Sequence, residues 1–271
     1  MRLSVDHRTA YRFSTPQSRL LQMLRMTPSD SHDQTVAAWR IDIDCDARLK
    51  PGRDGFGNRV TMLYAQGPID SIEICVTGEV LTADSAGVLD GVVERFPPAL
   101  FLRATPLTQA DAALTDFARK AAGGAAPLDR LHTLNRAVHA RFELCHRRPV
   151  QGRTAAQAFA QARAPARDLA HIFIAAARSM GVPARYVSGY GLIVASGATQ
   201  PTPHGWAEAF VEGIGWIAFD PSMGLCAAEE YVRVAIGLDA LGAAPVAGSR
   251  LGEGNEDLDV DVHVEQLSPQ A

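Results

Sequence analysis

The chain has 271 residues, of which 47% are hydrophobic, and a formal net charge of −4. This length and composition suffice for a buried core and exclude a disordered chain, and the weakly acidic balance argues against nucleic acid as a partner. There is no run of about 18 apolar residues, and residues 1–6 alternate polar and apolar side chains. We therefore predict a cytoplasmic protein without a membrane partner and leave the oligomeric state open.

The first eighty residues have the pattern of a β-rich module. Apolar side chains at 39, 41, 43 and 45 alternate with charged ones, which is typical of a strand with one buried face. Turn residues separate this stretch from two further apolar stretches, 60–64 and 71–76, which are divided by Gly67-Pro68. These spacings predict a β-sandwich-like N-terminal module over residues 1–100.

Helical periodicity takes over after a proline-containing boundary at 83–105. Thr108 and Asp111 are predicted to cap a first helix, and Pro127 is predicted to open a second. Apolar residues that recur at helical spacing in the second helix are expected to face the core. They are Leu128, Leu131, Leu134, Val138 and Phe142.

A longer helix is predicted from Asp168 to Met180, after a short helical segment at 154–162. The carboxylate of Asp168 can accept hydrogen bonds from the free amides at the start of this helix. Strands follow at 184–190, at 204–211 and at 216–220, the last two joined as a hairpin. These elements make residues 101–240 a core domain, and residues 241–271 a C-terminal extension with one strand at 258–264.

Three motifs of the core domain resemble those of one family when they are taken in order. They are Ala164-Pro165-Ala166-Arg167-Asp168, Pro203-His204-Gly205-Trp206 and Gly215-Trp216-Ile217-Ala218-Phe219-Asp220-Pro221. The pattern resembles that of the transglutaminase-like (transglutaminase/protease core) family, which reads Gly-Val-Cys-x-Asp-x-Ala-His, His-x-Trp and Gly-Trp-x-x-x-Asp-Pro. The resemblance implies an α+β, papain-like core, with helices packed on an antiparallel sheet, behind a bacterial type of N-terminal β-module.

The resemblance also implies roles for three positions. In that family the cysteine is the nucleophile, the histidine is its base and the aspartate orients the histidine. The matching residues here are Ala166, His204 and Asp220. A thiolate is favoured at a helix N-terminus, but the methyl group of Ala166 can neither ionise nor carry an acyl group. The residues expected to line the cleft beside these positions are Pro165, Arg167, Asp168, Trp206 and Trp216.

The favoured interpretation is a domain that has lost its catalytic cysteine and acts as a binding or regulatory pseudoenzyme. Its ligand would be a protein, a peptide or a small acyl-amide. One alternative is an active cysteine protease, amidase or transglutaminase with Cys226 as a relocated nucleophile. Another is an active relative inactivated by the substitution at Ala166 alone. The further departures at Ala164 and Pro165 predict a changed backbone path into the site, which one substitution would not explain.

The sequence predicts neither a metal nor a cofactor. The four cysteines, Cys45, Cys75, Cys145 and Cys226, lie far apart and show no zinc spacing. His139, Glu143 and His146 could share one face of a helix, but they match no standard set of metal ligands. His171 keeps the place of the histidine in the family's first motif, and we interpret it as structural.

Overall fold

The computed structural model of the chain describes residues 1–122, 126–192 and 199–268. The chain forms an N-terminal sheet, a layer of helices and a second sheet. Two short 3-10 helices at Pro98–Leu102 and Pro106–Thr108 precede the helical layer. In chain order, the helices and strands are β1 (Arg2–Leu24), β2 (Gln34–Ile43), β3 (Ala47–Arg53), β4 (Arg59–Thr82), α1 (Ala112–Ala121), α2 (Pro127–Arg141), β5 (Glu143–Leu144), α3 (Ala155–Phe159), β6 (Arg163–Ala164), α4 (Ala166–Ser179), β7 (Ala184–Gly191), β8 (His204–Val211), β9 (Gly215–Asp220), β10 (Leu225–Cys226), β11 (Tyr231–Gly237), β12 (Val246–Leu251) and β13 (Glu256–Gln266).

The N-terminal sheet is built on two long antiparallel strands, β1 and β4. One half of this pair is extended by β13 and β2, and the other half by β12 and β3. The register between the two long strands shifts between Arg12 and Arg19 of β1. Tyr11 and Ile72 from one half pack in a single apolar cluster with Leu20 from the other half. The two halves of one sheet therefore close on each other in a sandwich-like arrangement.

Two details of the N-terminal sheet differ from the sequence predictions. The stretches 60–64 and 71–76 form one strand, β4, which continues through Gly67-Pro68. The C-terminal extension contributes two strands, β12 and β13, and both pair with β1. The missed strand, β12, contains Gly248 and lacks a regular alternation of apolar side chains, so periodicity did not reveal it.

The core domain is organised around α4. Residues 168–178 of this helix are buried between the other helices and one face of a five-stranded antiparallel sheet, whose order is β10-β9-β8-β7-β11. The helix is rich in alanine and in other good helix formers. It ends at Ser179, and Gly181, whose φ of 78° suits glycine, follows the C-cap Met180. This layered arrangement confirms the prediction of an α+β, papain-like fold with helices on an antiparallel sheet.

The helix starts also depart from the predictions. Asp111 is itself the N-cap of α1 and accepts a hydrogen bond from the amide of Leu114, whereas Thr108 pairs with Thr105 in the preceding 3-10 helix. Helix α4 begins at Ala166, two residues before the predicted start, and its N-cap is Pro165. The predicted position of Pro127 in the first turn of α2 is confirmed.

The other face of the second sheet holds a buried group of charges. Glu208 of β8 lies 2.6 Å from Arg185 of β7 and 2.6 Å from Arg233 of β11. Burial opposes ionisation of Glu208, but the two guanidinium groups outweigh it and lower its pKa to about 2. Arg185 also lies over the ring of Trp216, 3.8 Å from its centroid. These contacts cross three neighbouring strands and fix their relative positions.

The two modules are joined by polar contacts as well as by apolar packing. Nδ1 of His7 in β1 lies 3.0 Å from the hydroxyl of Tyr190 in β7. Gln34 bonds to the backbone of Arg233, and Asn58 donates to the carbonyl of Ile236 at 2.8 Å. Since the C-terminal strands return to β1, both ends of the core domain are tied to the N-terminal sheet.

Candidate active-site cleft

A cleft of about 390 Å³ opens at the start of α4. Pro165 and Ala166 line one side of it and His204 lines another. Ala166 is half-buried, whereas Pro165 is buried as the N-cap. The carbonyl of Pro165 accepts hydrogen bonds from the amides of Asp168 and Leu169, and no side chain caps the helix. The N-terminus of a helix with this arrangement presents positive partial charge to the cleft.

His204 and Asp220 meet because their strands form a hairpin. Strand β8 begins at His204 and β9 ends at Asp220, and the ladder pairs Ala207 with Phe219. His204 and Asp220 are therefore diagonal neighbours at the open end of the hairpin. Nε2 of His204 lies 2.6 Å from Oδ2 of Asp220, and both side chains are buried.

Asp220 receives hydrogen bonds from three residues. Oδ1 accepts from the amide of Ser222 at 2.8 Å and from its hydroxyl at 2.6 Å. Oδ2 accepts from the hydroxyl of Tyr231 at 2.8 Å, in addition to His204. Burial raises the pKa of this carboxyl, but the attraction of His204 and the hydrogen bonds outweigh it and hold the pKa below its usual value. Asp220 is therefore an anion at neutral pH.

The sequence analysis missed Ser222 and Tyr231. An Asp followed two residues later by Ser is a common turn pattern, so Ser222 left a local signal. Tyr231 left none, because the contact depends on β11 pairing with β7 at the edge of the sheet. The burial of Tyr231 and the charge of Asp220 raise the pKa of its phenol, so it acts as a hydrogen-bond donor.

Only some of the residues predicted to line the cleft do so. Pro165 and Arg167 line it, but Asp168, Trp206 and Trp216 do not. Trp206 stacks beside His204 with ring centroids 5.9 Å apart. Trp216 packs on the face of the sheet opposite α4, in an apolar cluster with Phe101. Both tryptophans are buried on the sheet, and neither lines the cleft.

Asp168 is buried and does not cap α4. Its Oδ1 accepts from Arg167 at 2.6 Å, and its Oδ2 lies 3.7 Å from Arg153. Burial raises the pKa of Asp168 against the opposing effect of the two arginines. Arg167 also donates to the carbonyl of Val150 at 2.7 Å. The carboxylate therefore anchors the loop before α3 to the start of α4.

His171 lies in the core of the domain, one helical turn after Arg167. Its Nε2 accepts from the amide of Ala240 at 3.0 Å and so holds one wall of the cleft against α4. Burial, with a smaller effect of Arg167, lowers its pKa to about 3. A buried neutral imidazole with a backbone partner agrees with a structural interpretation.

The structure places Cys226 outside the cleft. This residue lies in β10, paired with Phe219, and its sulfur is 4.0 Å from Nδ1 of His132. Burial raises the pKa of its thiol. Cys226 as a relocated nucleophile stays a prediction, and the lining of the cleft gives it no support. The cysteine that lines the cleft is Cys145.

The described residues contain no group of three or more potential metal ligands. Helix α2 ends at Arg141, so His139, Glu143 and His146 do not share a helical face as the sequence suggested. Glu143 instead pairs with Arg163 at 2.7 Å. Within the described part of the chain, no helix is both long and apolar enough to cross a membrane.

Comparison with known proteins identifies both modules. A family model for the bacterial transglutaminase-like N-terminal region matches residues 3–81, and the model for the transglutaminase-like superfamily matches residues 115–221. An uncharacterized protein of Mycobacterium leprae is 25% identical, over 98% of this chain and 99% of that protein. An uncharacterized protein of Mycobacterium tuberculosis is 24% identical, over 97% of this chain and 92% of that protein.

One solved structure shares the whole fold. It is the crystal structure of a protein from Cytophaga hutchinsonii named as a candidate cysteine protease. The TM-score is 0.79 at 20% sequence identity, and the alignment covers 100% of this chain and 92% of that chain. The sheet, the central helix and the N-terminal module are thus found together in another protein. The chain belongs to the transglutaminase-like superfamily, and it carries the bacterial N-terminal region of that family in front of the core.

Proposed function

We propose that this protein is a binding or regulatory member of the transglutaminase-like superfamily that has lost thiol catalysis at position 166. The observation that carries the proposal is the pairing of His204 with Asp220 at 2.6 Å in a cleft where the start of the helix presents the methyl group of Ala166. In the family, a cysteine at this position is the nucleophile. Here the base and the orienting carboxylate have no thiol at that position to activate.

Acyl transfer from an amide needs a nucleophile that becomes covalently bonded to the carbonyl carbon. With Ala166 at the helix start, His204 has no thiol to activate at that position, and the covalent intermediate that divides the reaction into two easier steps cannot form there. The family mechanism is therefore interrupted at its first bond-forming step. The proposed function uses the recognition surface of the cleft and omits this chemistry.

The cleft suits a small peptide or acyl-amide ligand. Its volume of about 390 Å³ lies within the range of small-molecule sites, which is about 300–1,000 Å³. Apolar side chains, among them Leu107, Leu144 and Leu241, line much of it, together with polar side chains such as Ser188 and His204. Such a site accepts an apolar group and orients it by a small number of hydrogen bonds.

Isothermal titration calorimetry with benzyloxycarbonyl-Gln-Gly tests the proposal, because this blocked dipeptide has an apolar group and a glutamine amide. Binding without release of ammonia is expected. Ala244→Trp fills the cleft and should weaken binding by at least about tenfold. Ile214→Trp is the matched control, since Ile214 is exposed in the turn at the opposite end of the β8–β9 hairpin. Equal affinity in the two variants, or turnover by the unaltered chain, would contradict the proposal.

A further inference from the structure

The cleft contains a thiol that the family motifs do not include. Cys145 directly follows β5, and its amide donates to the carbonyl of Ala164 at 3.0 Å. Strands β5 and β6 are parallel, with Leu144 opposite Ala164. The next rung of this ladder places Cys145 beside Pro165. Neighbouring strands lie about 4.8 Å apart, so Cys145 is about one strand spacing from the residue that precedes Ala166.

A buried imidazole opens onto the same cavity. His204 is 3% exposed and lines the cleft together with Cys145 and Ala166. Its Nε2 is engaged by the anionic Asp220, which favours the tautomer with the proton on Nε2 and leaves Nδ1 as an acceptor. No described residue forms a hydrogen bond with Nδ1. The cleft therefore contains both a thiol and an unoccupied base nitrogen on a fixed ring.

The other three cysteines lack this environment. Cys45 lies in the connection between β2 and β3, and Cys75 lies in β4. Burial and neighbouring carboxylates raise the pKa of both thiols, that of Cys75 to about 11. Cys226 has a histidine partner, His132, but lies outside the cleft. Cys226 therefore serves as a control, because it is a cysteine close to a histidine that does not line the cleft.

We propose that Cys145 is an acyl-acceptor site that takes an apolar acyl group from a thioester, with His204 as its base. The sulfur of Cys145 loses its proton to Nδ1 of His204 and forms a bond to the carbonyl carbon of the donor. The carbon–sulfur bond of the donor breaks, and the departing thiolate takes the proton from His204. The products are an S-acyl cysteine and a free thiol, so no oxidant or other co-reactant is needed.

The structure favours a thioester over an amide as the donor. An amine must be protonated as it leaves, whereas a thiolate leaves without prior protonation. Amide cleavage also depends strongly on donors aimed at the developing oxyanion, and Pro165, which lies beside Cys145, has no amide to offer. The apolar residues Leu107 and Leu144 suit the acyl group. This inference goes beyond the proposed function, since it adds covalent capture to the same cleft.

Intact-mass spectrometry after incubation with the octanoyl thioester of N-acetylcysteamine tests the inference. We expect one octanoyl group per chain, located at Cys145 by peptide mapping. Cys145→Ser should abolish the adduct, Cys226→Ser should retain it, and His204→Asn should slow its formation by about 10². Thermal unfolding of each variant verifies that it is folded. An adduct elsewhere, no adduct, or a rate unaffected by His204→Asn would overturn the inference.

His146 provides a second control, because it also lines the cleft and is adjacent to Cys145. His146→Gln should slow acylation less than His204→Asn does, whereas an equal or larger loss would assign the base to His146 and overturn the role of His204. Calorimetry with benzyloxycarbonyl-Gln-Gly on the unaltered chain separates this inference from the proposed function. Binding of that ligand without an octanoyl adduct would overturn this inference alone, whereas an adduct without such binding would overturn the proposed function alone.

Discussion

The two halves of the site differ in how completely they are built. At the end of the β8–β9 hairpin, Asp220 is held by His204, Ser222 and Tyr231. At the start of α4, Ala166 presents a methyl group to the cleft. The contacts of Asp220 do not involve position 166. They join β8, β9 and β11 with the turn that follows β9. The requirements of folding can therefore preserve this histidine–aspartate pair whether or not position 166 carries a nucleophile.

The largest expected effect is a difference in how much the two halves of the site contribute to the stability of the fold. Asp220→Ala leaves buried donors on His204, Tyr231 and Ser222 without an acceptor, and we expect it to lower the free energy of unfolding by about 3–5 kcal/mol. Ala166→Ser, at the half-buried helix start, should change it by no more than about 0.5 kcal/mol. Urea unfolding followed by circular dichroism measures both. Similar losses in the two variants would refute the difference between the halves.

A second prediction uses pH to examine His171, which lies in α4, separately from Asp220. The pKa of His171 is about 3 in the folded chain and about 6.5 when unfolded, so protons bind preferentially to the unfolded state. The stability that neutral His171 contributes is complete above pH 6.5 and is lost as the pH falls toward 3. His171→Gln keeps an acceptor for the amide of Ala240 but does not titrate.

Between about pH 7.5 and pH 5, the unaltered chain should lose about 2 kcal/mol more of its free energy of unfolding than His171→Gln. His7, which has a similarly lowered pKa, titrates in both proteins and cancels in the comparison. Asp220 acts in a different window, because its lowered pKa makes its contribution disappear only below about pH 4. Parallel pH profiles for the two proteins would show that His171 is protonated without cost in the folded chain.

The sequence predicted those contacts that form between residues close together along the chain. A hairpin brings His204 and Asp220 together by its own geometry, and the motifs indicated both residues. Contacts that depend on distant pairing were not predictable. The return of β12 and β13 to β1 joins residues from opposite ends of the chain, such as Leu3 and Gln266, and Tyr231 reaches Asp220 through the pairing of β11 with β7. The same reason explains why Cys226, close to the motif in sequence, was preferred to Cys145.

A third prediction concerns a thiol introduced at position 166. Ala166→Cys in a Cys145→Ser background places a single thiol in the cleft, next to the start of α4 and His204. Positive partial charge at a helix N-terminus favours the thiolate, so this thiol should react with iodoacetamide at least about tenfold faster than Cys45 or Cys75. The additional change His204→Asn is the control and should remove part of the gain. A slow introduced thiol would mean that the start of α4 does not activate a nucleophile in this protein.

The smallest expected effect concerns the backbone before position 166. The departures at Ala164 and Pro165 predicted an altered path, yet Ala164 lies in β6 and is not among the described residues with positive φ. Pro165 has φ −72° and ψ 161°, an extended conformation that valine also adopts. The path into α4 therefore requires neither glycine at 164 nor proline at 165.

Ala166→Cys and the double variant Pro165→Val, Ala166→Cys should consequently form an acyl-enzyme at rates within about twofold of each other. The measurement is the burst of free thiol released from a thioester substrate, in a Cys145→Ser background. The only new group that valine offers is its amide. If that amide were a donor to the developing oxyanion, the double variant would be faster by about 10²–10³, the usual effect of one such donor. A difference of that size would assign the proposed loss of activity to two positions, whereas equal bursts would assign it to position 166 alone.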